Sequence, residues 1–116
     1  MTHQQAFNRI ARHLMKQGEH SKEIGDYGSC LYRGPNGTKC AIGALIPDSQ
    51  YDENFEGEDL VVIRMKARAL KGLRIAFLSE MQGVHDNNDP DKWAEELLKF
   101  AKQHRLKIPA CIQVPA

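Results

Sequence analysis

The chain has no apolar run of membrane-spanning length; a spanning helix needs about 20 consecutive apolar residues. It has no CxxC and no HxxxH pair, the close spacings on which structural zinc sites are usually built. Charge of one sign is missing too. The formal net charge is +1, so no bulk attraction to nucleic acid or to an anionic membrane follows, and a DNA binder would need a local basic patch. Gly34-Pro35-Asn36-Gly37 lacks the spacing and the following Lys-Ser/Thr of a phosphate-binding loop. The acidic stretch from Asp48 to Asp59 lacks the alternating ligand positions and placed glycine of a calcium loop. There is no internal repeat and no low-complexity segment. Met1 leads directly into a polar, helix-like stretch without an apolar leader, which predicts a cytoplasmic chain in a reducing compartment. Three cysteines, an odd number, then read as free thiols.

What is present fits one domain over residues 1–116, large enough to fold without a staple. Thr2 and Gln5 have capping-box spacing, and Phe7, Ile10, Ala11 and Leu14 recur at helical period, so a helix is predicted from Thr2 to Gln17 with Gly18 as its stop. Glu19 to Ser29 reads as a loop. Leu31-Tyr32-Arg33 and Thr38-Lys39-Cys40 flank a Pro-Asn-Gly turn, which predicts a β-hairpin near 30–40. Ala41 to Ile46 reads as a short helix ended by Pro47. Residues 48–59 read as a long acidic loop anchored by Tyr51 and Phe55.

The spacing then predicts a helix from about Glu58 to Leu70 and another from Leu73 to Gln82. Asp89 is placed to cap a last helix, with Pro90 at its first position and Trp93, Leu97, Phe100 and Ala101 on its buried face. An irregular tail follows at about 107–116. The expected class is α+β: about four helices around one small hairpin.

Cys40 at a helix start is the first candidate for chemistry. Unpaired backbone amides there stabilise a thiolate. His85 can serve as its base, with Asp86 or Asn87 to orient the ring, as in cysteine hydrolases and transferases. The alternative is that Cys40 is a small buried hydrophobe. A Cys30/Cys40/His metal site is geometrically conceivable across the hairpin, but neither a metal nor another cofactor is expected from these spacings.

The basic residues Arg64, Arg68 and Lys71 fall on one face of the expected 58–70 helix and its extension, with Arg74 beside them. They suit phosphate contacts or an acidic partner, or a plain solvated face. No aromatic residue interleaves them, which disfavours stacked single strands. Asp52, Glu53 and Glu56 offer an acidic surface to a basic partner. Val61, Val62 and Ile63 read as an exposed apolar patch that could make a homodimer, so the chain is expected to be a monomer or a homodimer.

The segment Cys30-x-Tyr32-Arg33-Gly34-Pro35-x-Gly37-x-Lys39-Cys40-Ala41-Ile42-Gly43-Ala44-Leu45-Ile46-Pro47-Asp48 resembles a family of small proteins of tailed bacteriophages and prophages. The likeness continues in Tyr51, Glu56-Gly57, Leu78-x-x-Met81-Gln82-x-x-His85-Asp86 and Trp93. The Cys-Ala-Ile-Gly-Ala-Leu core is more distantly similar to an actinobacterial domain of unknown function. The resemblance brings no catalytic residue with it. It implies a phage-encoded accessory protein of the host cytosol, and many such proteins bind and inhibit a host enzyme or defence complex. Three functions therefore stand as expectations: a non-catalytic binder of a host protein, a Cys40/His85 enzyme, and a nucleic-acid or nucleotide module on the basic 64–74 face.

Overall fold

The computed structural model describes residues 1–23 and 30–112. Four helices order the chain: α1 (His3–Gln17), α2 (Leu60–Lys66), α3 (Ile75–Asp86) and α4 (Trp93–Gln103). The expected capping box opens α1. Gln5 N–H donates to Thr2 Oγ1 at 3.0 Å, and Thr2 N–H donates to Gln5 Oε1 at 2.8 Å. Gly18 closes it in the left-handed region, φ +67°, with its N–H on Leu14 O, the conformation that glycine adopts without strain. Ala6, Phe7, Ile10, Ala11 and Leu14 form the buried face.

That face packs on α4 and on the Gly43–Leu45 turn, while α3 packs on α2 and α4. Phe7 stacks on Phe100 with ring centroids 5.7 Å apart, and Phe77 meets Phe100 edge-on at 5.5 Å. The buried cluster runs from Ala6 to Ile112. No helix among the described residues is long and apolar enough to cross a membrane.

The α+β class is corrected: the fold is mostly α-helical, with no sheet among the described residues. The Pro-Asn-Gly turn forms, with Asn36 and Gly37 at positive φ and Gly34 N–H on Thr38 O at 2.8 Å. Its arms do not become strands. They share one isolated bridge, Arg33 with Lys39, and Lys22 bridges Cys30. The reason is competition from side chains. Gln17 takes the Lys39 backbone, accepting from its N–H at 2.8 Å and donating to its carbonyl at 2.9 Å. The Glu56 carboxylate takes the N–H groups of Tyr32 and Arg33 at 2.8 and 3.1 Å. With those groups satisfied, no ladder is left to propagate.

Other boundaries shift. Ala41–Ile46 holds only a single 3₁₀ turn, Gly43–Leu45. The expected 58–70 helix stops at Ala67, whose φ of −89° and ψ of 108° are extended, and a 3₁₀ turn at Arg68–Leu70 follows. Gln50 Oε1 accepts from Ala69 N–H at 2.7 Å and fixes the break. The break lets Ala67, Leu70 and Leu73 all reach the core. α3 starts later than expected and runs four residues past Gln82, so His85 and Asp86 belong to its last turn. Asp89 makes no side-chain cap, and Pro90–Lys92 is a 3₁₀ turn ahead of α4. The loop expected at 19–29 and the tail expected at 107–116 lie partly outside the described residues. Within them, Lys107 is tied to α1 by paired bonds with Gln4.

Gly43 is the tightest point of the fold. A Cβ there would lie 1.9 Å from the carbonyl oxygen of Tyr32, well inside contact distance, with rigid backbone on both sides. Gly43→Ala should therefore lower unfolding stability in urea by about 3 kcal/mol, the upper end of overpacking. Gly18→Ala meets no atom and should lose only about 1 kcal/mol from its positive φ.

Candidate functional site

Arg33, Asp48 and Glu56 are held by partners inside the Cys30–Glu56 region. Glu56 Oε2 accepts from the Tyr51 hydroxyl at 2.6 Å, besides the two backbone N–H groups described above. Arg33 donates to Ile46 O at 3.0 Å, pairs with Asp48 at 2.7 Å and lies 4.4 Å over the Tyr51 ring. Arg33 thus ties the turn to the end of the Cys40–Ile46 segment. Glu56, expected as part of an acidic surface, is an internal acceptor. Burial first, then Glu56, pushes the Tyr51 hydroxyl up to about 12. Tyr32 also rises to about 12, chiefly by burial.

Cys40 is fully buried. Its sulfur accepts from the Gly43 N–H at 3.3 Å, the amide contact that a helix start supplies. Burial outweighs it and pushes the thiol up to about 12. A thiol so held is protonated and a poor nucleophile near neutral pH.

A hydrogen-bonded chain joins this region to α3. Gln82 Oε1 accepts from Ile42 N–H at 3.1 Å, and Gln82 Nε2 donates to Asp86 Oδ1 at 2.9 Å. Asp86 Oδ1 also meets His85 Nδ1 at 2.7 Å. His85 Nε2 accepts from the buried Ser21 N–H at 3.0 Å. That last bond fixes the tautomer: the imidazole proton sits on Nδ1 and faces Asp86. The ring stacks on Trp93 at 5.3 Å and takes the edge of His20 at 5.2 Å. The structure therefore brings His85 and Asp86 together, while Cys40 and His85 share no hydrogen bond. A general base needs a free lone pair within reach of the proton it removes, and the lone pair on His85 is occupied by backbone.

Cys30, which the sequence placed only with Cys40 and an unspecified histidine, stands beside His85. Its sulfur, a His85 nitrogen and an Asp86 oxygen all lie within 4.8 Å of one another. The Lys22 bridge delivers Cys30 to the end of α3, a pairing with no sequence signal. Three such ligands suit a divalent metal in principle. The hydrogen bonding does not. A neutral imidazole that binds metal through one nitrogen carries its proton on the other. Here that proton would face the Ser21 N–H, donor against donor. The site is matched to a proton on Nδ1. Burial, then the Asp86 carboxylate, pushes the Cys30 thiol up to about 11.

The charged candidates separate. Arg64 Nε donates to Leu73 O at 2.6 Å and holds the turn after α2. Because the helix breaks at Ala67, Arg64, Arg68 and Lys71 do not share a helical face. Arg68, Lys71 and Arg74 are exposed and form no ion pair among the described residues. Asp52 Oδ1 accepts from Asn54 N–H at 2.8 Å, and Glu53 is exposed. An open cleft of about 520 Å³ lies between the end of α1 and the 34–39 turn, lined by His13, Lys16, Gln17 and Lys39 among others. None of the sequence-predicted site residues lines it.

Two outcomes test this arrangement. In alkylation at pH 8, Cys40 should stay protected until the chain unfolds. Cys30 should react slowly, its rate rising about tenfold per pH unit toward 11. Asp86→Asn removes a charge that holds the Cys30 proton and should speed its labelling. Equal labelling of Cys30 and Cys40 in the folded chain contradicts the geometry. Second, the raised Cys40 value makes stability fall at alkaline pH. The contribution is complete below the reference value of 9.0 and is lost as pH climbs toward about 12, because the unfolded chain gives up its proton first. The loss should be about 1.4 kcal/mol per pH unit. Denaturant titrations on either side of pH 9 should show a shallower loss for Cys40→Ala than for the natural chain.

Comparison of the chain with protein-family models, with curated proteins and with solved structures returns no match.

Proposed function

We propose that this chain is a phage-encoded accessory protein of the host cytosol that binds and modulates a host enzyme or defence complex without catalysis of its own. One observation carries the reading: both ring nitrogens of His85 are committed, one to Asp86 and one to the Ser21 backbone. The residues that looked catalytic are thereby used to hold the fold together. The resemblance of the Cys30–Asp48 segment to small phage proteins supports a host macromolecule as the partner.

The 68–74 turn is the surface best suited to that partner. It presents Arg68, Lys71 and Arg74 to solvent. Its backbone is held by the buried Leu70 and Leu73, by the Gln50 bond to Ala69 and by Gly72 at φ +85°. A backbone already fixed spares the loop-ordering part of the entropy cost when these cations meet carboxylates. The partner is accordingly an acidic protein surface. A nucleic-acid reading is less well supported. Three cations neutralise at most three phosphates, for a log–log salt slope of only about −3.

The test is capture from a lysate of the bacterial host at physiological salt. The natural chain and Cys40→Ala should retain the same host protein at stoichiometric amount. A variant with Arg68→Glu, Lys71→Glu and Arg74→Glu should retain at least about tenfold less. A natural chain that retains nothing, or a charge-reversed chain that retains as much, refutes the reading.

A further inference from the structure

Two large apolar side chains project from one side of α2. Val61 is 54% exposed and Met65 75%, the highest values for large apolar side chains among the described residues. They stand four residues apart and so share one helix face. Ile63 is fully buried on the other. The ends of this face carry opposite charge. Glu58 and Asp59 precede the helix, Lys66 ends it and Arg68 follows. Asp59, Lys66 and Arg68 are exposed. Glu58 and Lys66 reach along the helix to within 4.0 Å of each other, and the Asp59 side chain makes no cap bond.

Such a face is complementary to itself. A two-fold rotation lays a second copy antiparallel across it, so that Val61 of each copy meets Met65 of the other. The acidic end of each then faces the basic end of the other. We propose that the Val61–Met65 face of α2 is the interface of a homodimer, closed by a two-fold axis and rimmed by Glu58 and Asp59 against Lys66. A different protein would have to match an apolar pair between two rims of opposite sign, whereas a second copy does so by symmetry. The helix has seven residues and is about 10 Å long. That size belongs to small, transient interfaces, with a Kd of roughly 10–100 μM.

Sedimentation velocity of the purified chain, from about 5 to about 500 μM, tests it without any host component. Its outcome is therefore independent of the function proposed above. The mass should rise from 13.1 kDa toward twice that value. Met65→Lys should stay monomeric throughout with unchanged helical circular dichroism. Asp59→Lys and Lys66→Glu should each raise the Kd about tenfold, and the two together should return it to within about threefold of the natural chain. A natural chain that is still monomeric at the highest concentration overturns the proposal and leaves the face to another partner. So does a Met65→Lys chain that dimerises normally, or a double reversal no better than the singles.

Discussion

The Glu56 carboxylate fixes the middle of the chain. It accepts from the backbone of Tyr32 and Arg33 and from the Tyr51 hydroxyl. Hydrogen bonds to a charged acceptor contribute about 1.5–3 kcal/mol each. Three on one group do the work that a neighbouring strand does elsewhere. They also orient Arg33, whose guanidinium then spans Ile46, Asp48 and Tyr51. The backbone of Tyr32, so held, lies against Gly43 with no room for a Cβ. Carboxylate, guanidinium and glycine thus form one constraint. Together they seat the Gly43–Leu45 turn against α1, and with it Cys40, Ile42 and Leu45 in the core.

A second polar chain continues from that constraint into α3. Gln82 links the Ile42 backbone to Asp86, Asp86 holds the His85 proton, and His85 holds the Ser21 backbone. Each buried polar atom in this chain has its partner, as buried networks require. The arrangement explains how a region without a sheet stays ordered. Side chains of α1 and α3 and of the acidic loop satisfy backbone groups that would otherwise pair with one another.

The helices that were legible in the sequence are those whose caps and periodicity agree. Thr2, Gln5 and Gly18 mark α1 correctly, and Trp93, Leu97, Phe100 and Ala101 are indeed the buried face of α4. The hairpin misled because turn chemistry is local while strand pairing is not. Pro35, Asn36 and Gly37 do form the turn, yet Gln17 and Glu56, distant in sequence, claim the arms. The 58–70 helix misled because its apolar spacing continues through a break that Gln50 stabilises from 19 residues away. The site was half legible. Of the two residues offered to orient His85, Asp86 is the one in contact with its ring. Cys40 was placed near amide donors, as it is, but burial decides its chemistry, and burial cannot be read from a motif. Cys30 reaches His85 through the pairing of Ser21 and Lys22 with residues 30 and 31.

Most of the longest motif in the chain therefore serves internal contacts. Gly34 and Gly43 serve close approach, since a Cβ on Gly34 would fall within 2.7 Å of the Ser21 and Thr38 hydroxyls. Arg33, Asp48, Tyr51 and Glu56 serve each other, and Cys40 serves packing. A motif consumed in this way can be shared by proteins that act on different targets, because it leaves the surface free to vary. The exposed cations of the 68–74 turn and the exposed apolar pair on α2 lie outside it. Their side chains satisfy no internal need, and an exposed Met65 between charged ends gains nothing from the fold that displays it. These are the groups that the two proposed contacts use.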